Sequence, residues 1–223
     1  ARATSASVAA SPVSPSEPAV PLDQSSSPYL RQAARLPVRW SAWSAEALRH
    51  ARSQNRPVLI CIGANWSHAC QVMDQTTWSD PEIARIVNEK FVAIRVDRDE
   101  RPDLDARYQA AHAAINRRAG GYPLTVFALP DGRPFESLGF VGRESSGGQI
   151  GMKDVLHQIG TIYSERLADA ERMADAVERA LAQATAQPDS RTELDEDLVH
   201  RLHSTVSSQY DAKTNTFGPS GQP

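Results

Sequence analysis

Three short apolar runs constrain this chain more than anything else in it: "RPVLICIG" (56–63), "FVAIRVD" (91–97) and "LTVFAL" (124–129). Each is rich in branched or aromatic residues and too short for a core helix, so each reads as a buried strand. Helical patterns alternate with them. "SAEALRHARSQN" (44–55) precedes the first run, "PEIARIVNEK" (81–90) the second and "PDLDARYQAAHAAINRRAG" (102–120) the third. Asp80 ahead of Pro81 supplies an N-cap, followed by a proline at the first helical position and an acidic first turn. A turn at "PDGR" leads into a further strand over 135–141 and so predicts a hairpin. Helices and strands that alternate, then two consecutive strands, predict an α/β domain with a central mixed sheet flanked by helices.

Beyond residue 150 the pattern turns helical. Met152, Val155, Leu156, Ile159, Ile162 and Tyr163 recur at three- and four-residue spacing, a stripe that would face the sheet. It continues through Leu167, Met173, Val177 and Leu181, with a break near Ala168. A polar linker, "QATAQPDSR", precedes a last helix over 193–209, where Leu194, Leu198, Leu202 and Val206 recur every four residues. That apolar face has no obvious partner in the preceding domain. At the other end, residues 1–28 contain eight Ser, five Pro and six Ala and no aromatic residue. Such a segment buries too little apolar surface to offset its ordering entropy, so it reads as a disordered-type leader or as a tail that docks on a partner. The organisation is therefore a leader (1–28), a domain (29–185), and a linker with an amphipathic helical extension and tail (186–223).

Charge and composition exclude several classes. A net charge of −3 provides no basic stripe for nucleic acid. No apolar run approaches the roughly 20 residues of a membrane-spanning helix. Two cysteines, Cys61 and Cys70, make no secreted disulfide framework, and the six histidines are scattered. The start at Ala1 without methionine suits either removal of an upstream signal or anchor, or simple methionine excision.

The chemistry-bearing stretch is "NWSHACQVM" (65–73), directly after the first strand. It has the spacing of a Cys-x-x-Cys at a strand-to-helix junction, but reads Ser67-His68-Ala69-Cys70. With a β-α-β segment and a hairpin led by "GGYP", this wiring is that of a thioredoxin fold. Four motifs carry a more specific resemblance over about Ser26 to Leu181. "SPYLRQAARLPVRWSAW" is similar to "SPYLLQHAHNPVDWYPW", and "NRPVLICIGANWSHACQVM" to "DKPIFLSIGYSTCHWCHVM". "FVAIRVDRDERPDLDARY" is similar to "FVSIKVDREERPDIDSIY", and "AGGYPLTVFALPDGRPF" to "QGGWPLNVFLTPDGKPF". Together they resemble the N-terminal, DsbH-like thioredoxin domain of the spermatogenesis-associated-protein-20-like family. The tail "YDAKTNTFGPSGQP" is similar to the opening of that family's second domain, a helical toroid. The chain then reads either as part of a two-domain protein or as the thioredoxin part alone.

The departures from the family fall where its chemistry would be. The family's "CHWCH" is here "SHACQ". A first cysteine in this position is the exposed nucleophile, its thiolate stabilised by the helix N-terminus. A serine hydroxyl is too weak an acid for that and needs an adjacent base, so dithiol exchange within the motif is lost. Ser67 and His68 are neighbours on a helix and point about 100° apart, which makes them no hydrolase pair. Ser67 instead reads as a helix N-cap. His68 reads as a rim residue, or as an imidazolium that would lower the pKa of a nearby thiol. Cys70 is either an inert thiol left at the resolving position or a single reactive thiol. Cys61 reads as core, and a Cys61–Cys70 disulfide is disfavoured because strand and helix diverge there.

Pro123 matches the family's cis-proline beside the active-site loop, which would expose backbone to an extended peptide; its alternative role is to shape the turn into the strand. Trp66, Tyr122 and Pro123 are thus the candidate peptide- or partner-binding residues. The resemblance places the charged run with Asp97, Arg98, Asp99 and Arg101 on the same face, with an Asp97–Arg101 ion pair expected to order it. A c-type haem site would need Cys-x-x-Cys-His, and a zinc site four closed ligands; neither is present, and no cofactor or metal is expected.

The expected function is that of a redox-inactive thioredoxin-like protein-interaction module, an accessory subunit of a larger assembly contacted through residues 1–28 and the C-terminal helix. The alternative is a monothiol oxidoreductase or thiol-regulated protein acting through Cys70. The leader suits an extracytoplasmic, periplasmic setting, and the family resemblance a cytoplasmic or organellar one.

Overall fold

The computed structural model describes residues 21–185, 196–208, 210–211 and 216–217. The chain divides into two compact units, Ala1–Thr185 and Ala186–Pro223. In the first, a 3-10 turn at Leu22–Gln24 and helix α1 (Pro28–Ala33) lead to strand β1 (Trp40–Ala42), α2 (Ala45–Gln54), β2 (Val58–Gly63), α3 (His68–Thr76), α4 (Pro81–Lys90), β3 (Val92–Asp97) and α5 (Pro102–Asn116). The hairpin β4 (Leu124–Ala128) and β5 (Pro134–Leu138) follows, then α6 (Met152–Glu165) and α7 (Leu167–Thr185). The sheet order is β1-β3-β2-β4-β5. β1, β3 and β2 run parallel, while β4 and β5 are antiparallel additions. This is the expected α/β thioredoxin-like arrangement with a mixed sheet.

The period-two alternation of the strands sorts their side chains into two cores. Val58, Ile60 and Ile62 of β2, with Ile94, Val96, Leu124 and Val126, pack on Ala47 and Ala51 of α2 and Leu104 and Tyr108 of α5. Leu59 and Cys61, with Ala93 and Phe127, meet Tyr29 of α1, Met73 of α3, Ile83, Ile86 and Val87 of α4, and Leu156 of α6. Helices therefore cover both faces, and a strand buried on both sides reads as one continuous apolar run.

Several boundaries differ from expectation. The segment before Tyr29 is not all leader: Leu22 and Ser27 are buried in the domain. β1 carries too few residues to show a periodicity. α5 stops at Asn116, before Gly120 is reached, and is capped by Arg117 in the left-handed conformation (φ 55°). The helical break expected near Ala168 is present, at Arg166. Asp80 caps α4 as expected, accepting from the Glu82 and Ile83 amides at 2.9 Å each; the Ile83 bond leads in holding its carboxyl below the usual range.

The second unit comprises α8 (Glu196–Ser208) and a short antiparallel pair, β6 (Tyr210–Asp211) with β7 (Thr216–Phe217). On α8, Val199, Leu202 and Val206 are exposed and Leu198 is half-buried; Leu194 lies outside the described residues.

A buried histidine makes the domain's stability pH-dependent. His112 of α5 is 2% exposed, and its Nδ1 lies 3.0 Å from Ser137 Oγ. Asn116 Nδ2 donates to the Ser137 carbonyl at 3.0 Å. Burial, with a smaller contribution from Arg118, lowers the His112 pKa. A depressed histidine pKa means the unfolded chain takes up the proton first. Its contribution is complete above the ordinary value, about 6.5, and is lost as pH falls toward the folded value. The urea midpoint should fall between pH 7.5 and pH 5, and fall less in His112→Gln; equal shifts in the two proteins would remove His112 as the cause.

Candidate functional site

The site forms where β2 ends. After Gly63 the chain turns through Ala64, Asn65 and Trp66, and Ser67 (φ −80°, ψ 111°) takes the N-cap of α3. Its Oγ accepts the Cys70 amide at 3.4 Å and donates to the Tyr122 carbonyl at 3.4 Å. The Tyr122–Pro123 peptide bond is cis, as the resemblance implied. The serine in the nucleophile position is therefore engaged with backbone groups on both sides. Neither of these two partners is a base, the kind of group a serine nucleophile needs beside it.

Cys70 sits behind it and is 1% exposed. An added Cβ on Gly63 would lie 2.6 Å from Cys70 Sγ and would overlap the Tyr29 hydroxyl. Thiol and phenol are thus packed directly against the glycine that closes β2. His68 is exposed at the start of α3.

Beside Ser67 stands an aromatic wall. Trp66 is 60% exposed and meets the Tyr122 ring edge-on, with centroids 5.7 Å apart. The Arg98 guanidinium lies 5.2 Å from the Tyr122 centroid and 5.9 Å from that of Trp66. Trp66 Nε1 donates to Asp99 Oδ2 at 2.9 Å, and Tyr122 OH to Asp105 Oδ2 at 2.6 Å. Burial first, and then the Asp105 bond, pushes the Tyr122 phenol up to about 12. Arg98 is held by Asp105 at 3.3 Å and Asp99 at 3.8 Å.

The charged loop lies on this face, but the expected Asp97–Arg101 ion pair is not made. Asp97 accepts the Ser27 hydroxyl at 2.5 Å and the Asp99 amide at 2.9 Å. Arg101 turns to Asp103, with bonds of 2.8 and 2.6 Å. Asp97, last in β3, points at the N-cap of α1, whereas Arg101 stands just ahead of α5 and finds the Asp103 carboxylate of its first turn.

A buried polar cluster underlies the motif, and its key members were not singled out from the sequence. Arg95 of β3, 1% exposed, donates to both Asp74 carboxylate oxygens at 2.7 Å. Its guanidinium stacks 4.1 Å from the Tyr29 centroid and 5.2 Å from that of Trp40. Arg95 also reaches Cys61 Sγ at 3.5 Å, and Tyr29 OH lies 3.8 Å from the same sulfur. Burial pushes the Cys61 thiol up to about 11 and raises the Tyr29 phenol well above its ordinary value, each opposed by Arg95. Burial likewise raises the Asp74 carboxyl, again against Arg95. The arginine flanked by Ile94 and Val96 inside "FVAIRVD", and an acid four residues after Cys70 on one helix face, were the available signals. Among the described residues no group of three or more His, Cys, Asp or Glu could hold a metal ion.

Comparison with known proteins agrees with this wiring. The profile of a DsbH-like thioredoxin family, described as a protein of unknown function, DUF255, matches residues 20–182. The chain belongs to this family. The DsbH-like domain is similar to uncharacterized protein B0495.5 of Caenorhabditis elegans, 32% identical over 197 residues, 88% of this chain and 27% of that protein. Human spermatogenesis-associated protein 20 is 36% identical over 155 residues, 68% of this chain and 20% of that protein. The chain thus spans about a quarter or less of the lengths of these relatives. Among solved structures, a DsbH oxidoreductase matches with a TM-score of 0.43 at 19% identity, over 58% of this chain and 86% of its own. A thioredoxin from Thermus thermophilus matches with a TM-score of 0.44 at 23% identity, over 61% and 96%. Among the described residues, no helix is long and apolar enough to cross a membrane.

Proposed function

We propose that this DsbH-like domain is a redox-silent module that docks a protein segment in extended form, as an accessory part of a larger protein or assembly. The observation that carries the reading is Ser67: where the family places a nucleophilic cysteine, a hydroxyl caps α3 and bonds the Tyr122 carbonyl. Backbone access beside the cis bond supports docking. A Cβ on Gly121 or on Gly139 would meet nothing within 4 Å. Gly139 directly follows Leu138, the residue paired with Thr125, so it lies at the Pro123 end of β4. An extended segment adding main-chain bonds there would find Trp66 and Tyr122 as its flanking wall. The competing reading, a monothiol enzyme working through Cys70, is opposed by the near-complete burial of that thiol, since reactive cysteines are partly exposed. A cytoplasmic or extracytoplasmic setting is compatible with either reading, and neither calls for a cofactor.

Two measurements test this. Under native conditions iodoacetamide should leave both Cys61 and Cys70 largely unmodified over a time in which glutathione is fully alkylated, with both reacting in urea. Rapid native labelling of Cys70 would move the weight to the monothiol enzyme. Selection of the full chain against a randomised short-peptide library should yield binders that are lost on Gly139→Val, a substitution with open space around it. A library that yields no binder would overturn the docking reading.

A further inference from the structure

The aromatic wall carries an electrostatic signature that its packing role does not require. Trp66 is 60% exposed, yet its indole N–H is tied to Asp99 at 2.9 Å, a carboxylate whose side chain is itself 53% exposed. An open π-face with an accessible carboxylate at its edge attracts a cation twice, through the ring quadrupole and through direct pairing. The surrounding loop adds to this. Residues 97–105 hold Asp97, Asp99, Glu100, Asp103 and Asp105 against only Arg98 and Arg101. Arg101 is taken up by Asp103, and Arg98 by Asp105 and Asp99. The loop beside the wall therefore carries a net negative charge of its own, which favours a basic side chain over an acidic one.

We infer that the segment docked at this site presents a lysine or arginine side chain on the exposed face of Trp66, paired with Asp99. The inference rests on the docking reading and specifies its ligand as a basic extended peptide. Arg98 and Asp105 act as positioning residues. The guanidinium lies near both rings and the carboxylate accepts the Tyr122 hydroxyl, which fixes the wall before a partner arrives. A wall ordered in advance spares the complex the cost of immobilising two large side chains on binding.

The test uses the full chain and the same randomised peptide library. Lysine or arginine should be enriched at one position of the selected sequences. In a synthetic binder, replacing that residue by norleucine should weaken binding by roughly tenfold, the combined worth of one exposed cation–π contact and one surface pair. Replacement by glutamate should weaken it further, and added salt should shrink the difference. Asp99→Asn keeps an acceptor for the Trp66 indole but removes the charge. It should bring the ratio of lysine to norleucine affinity down to about one. Binders without basic enrichment, or an Asp99→Asn variant that weakens all peptides equally, would overturn the cation subsite and leave docking intact. A library with no binders at all would instead overturn docking itself.

Discussion

Ser67→Cys should complete a Cys-x-x-Cys and give a chain that cycles between dithiol and disulfide. In oxidised glutathione the introduced thiol is expected to form a disulfide with Cys70, releasing two equivalents of reduced glutathione, and the variant should appear two hydrogens lighter by mass spectrometry. The geometry is already in place, since the Ser67 side chain bonds the Cys70 amide from the N-cap of α3. A thiol there would meet the free amides and the positive end of the helix, which bring such cysteines to a pKa of roughly 3.5–7.5. Cys70 needs no exposure of its own; a resolving thiol has only to reach its neighbour. The parent should not reduce insulin disulfides above background, whereas the variant should do so at a rate several orders of magnitude higher, as expected when a thiolate replaces an unactivated hydroxyl. A variant that keeps two free thiols in its motif and Cys61 in oxidising buffer would show that Cys70 is held too firmly against Gly63 to serve.

Arg95→Ala should be the most damaging single substitution in the buried cluster. It strands the Asp74 carboxylate without its bidentate partner and removes the cation stacked on Tyr29. Breaking one side of a buried pair costs about 3–5 kcal/mol, which in a domain of this size lowers the melting temperature by roughly 10 °C or more. The double replacement Arg95→Met with Asp74→Leu removes both charges at similar volume. It should recover most of that loss, because replacing a whole buried pair is often neutral. Thermal and urea denaturation of Arg95→Met, Asp74→Leu and the double variant would give the coupling directly. Equal destabilisation in Arg95→Ala and in the double variant would mean that stacking on Tyr29 and Trp40, not charge pairing, holds the cluster.

Strands β2, β3 and β4 could be read from sequence because each is buried along its whole length and reads as a near-continuous apolar run, and Ser67 as a cap because a serine directly before a helix has one obvious use. The family motifs placed Pro123 and the charged run on the same face as Ser67. The buried cluster was not readable in the same way. Arg95 and Asp74 are separated by 21 residues, and Tyr29 lies 32 residues from Cys61; only the parallel packing of β2 on β3 under α1 and α3 brings them together. Charge alone misassigned Asp97. An aspartate and an arginine four residues apart suggest a pair, but strand β3 aims the carboxylate at Ser27 instead. The end of α5 was missed because Arg117 takes a left-handed conformation usually left to glycine.

The stretch from Leu22 to α1 has a consequence for how a ligand could be delivered. Ser26 bonds Glu100 at 2.6 Å, Ser27 bonds Asp97, and Gln32 reaches Asn65 at 3.0 Å. The chain's own N-terminal strap is thus stitched to the acidic loop and to the turn that carries Trp66. A peptide fused ahead of Leu22 through a flexible linker long enough to reach the wall would be presented to it at an effective concentration in the millimolar range. Weak ligands that escape detection when free in solution would then occupy the site as intramolecular ones.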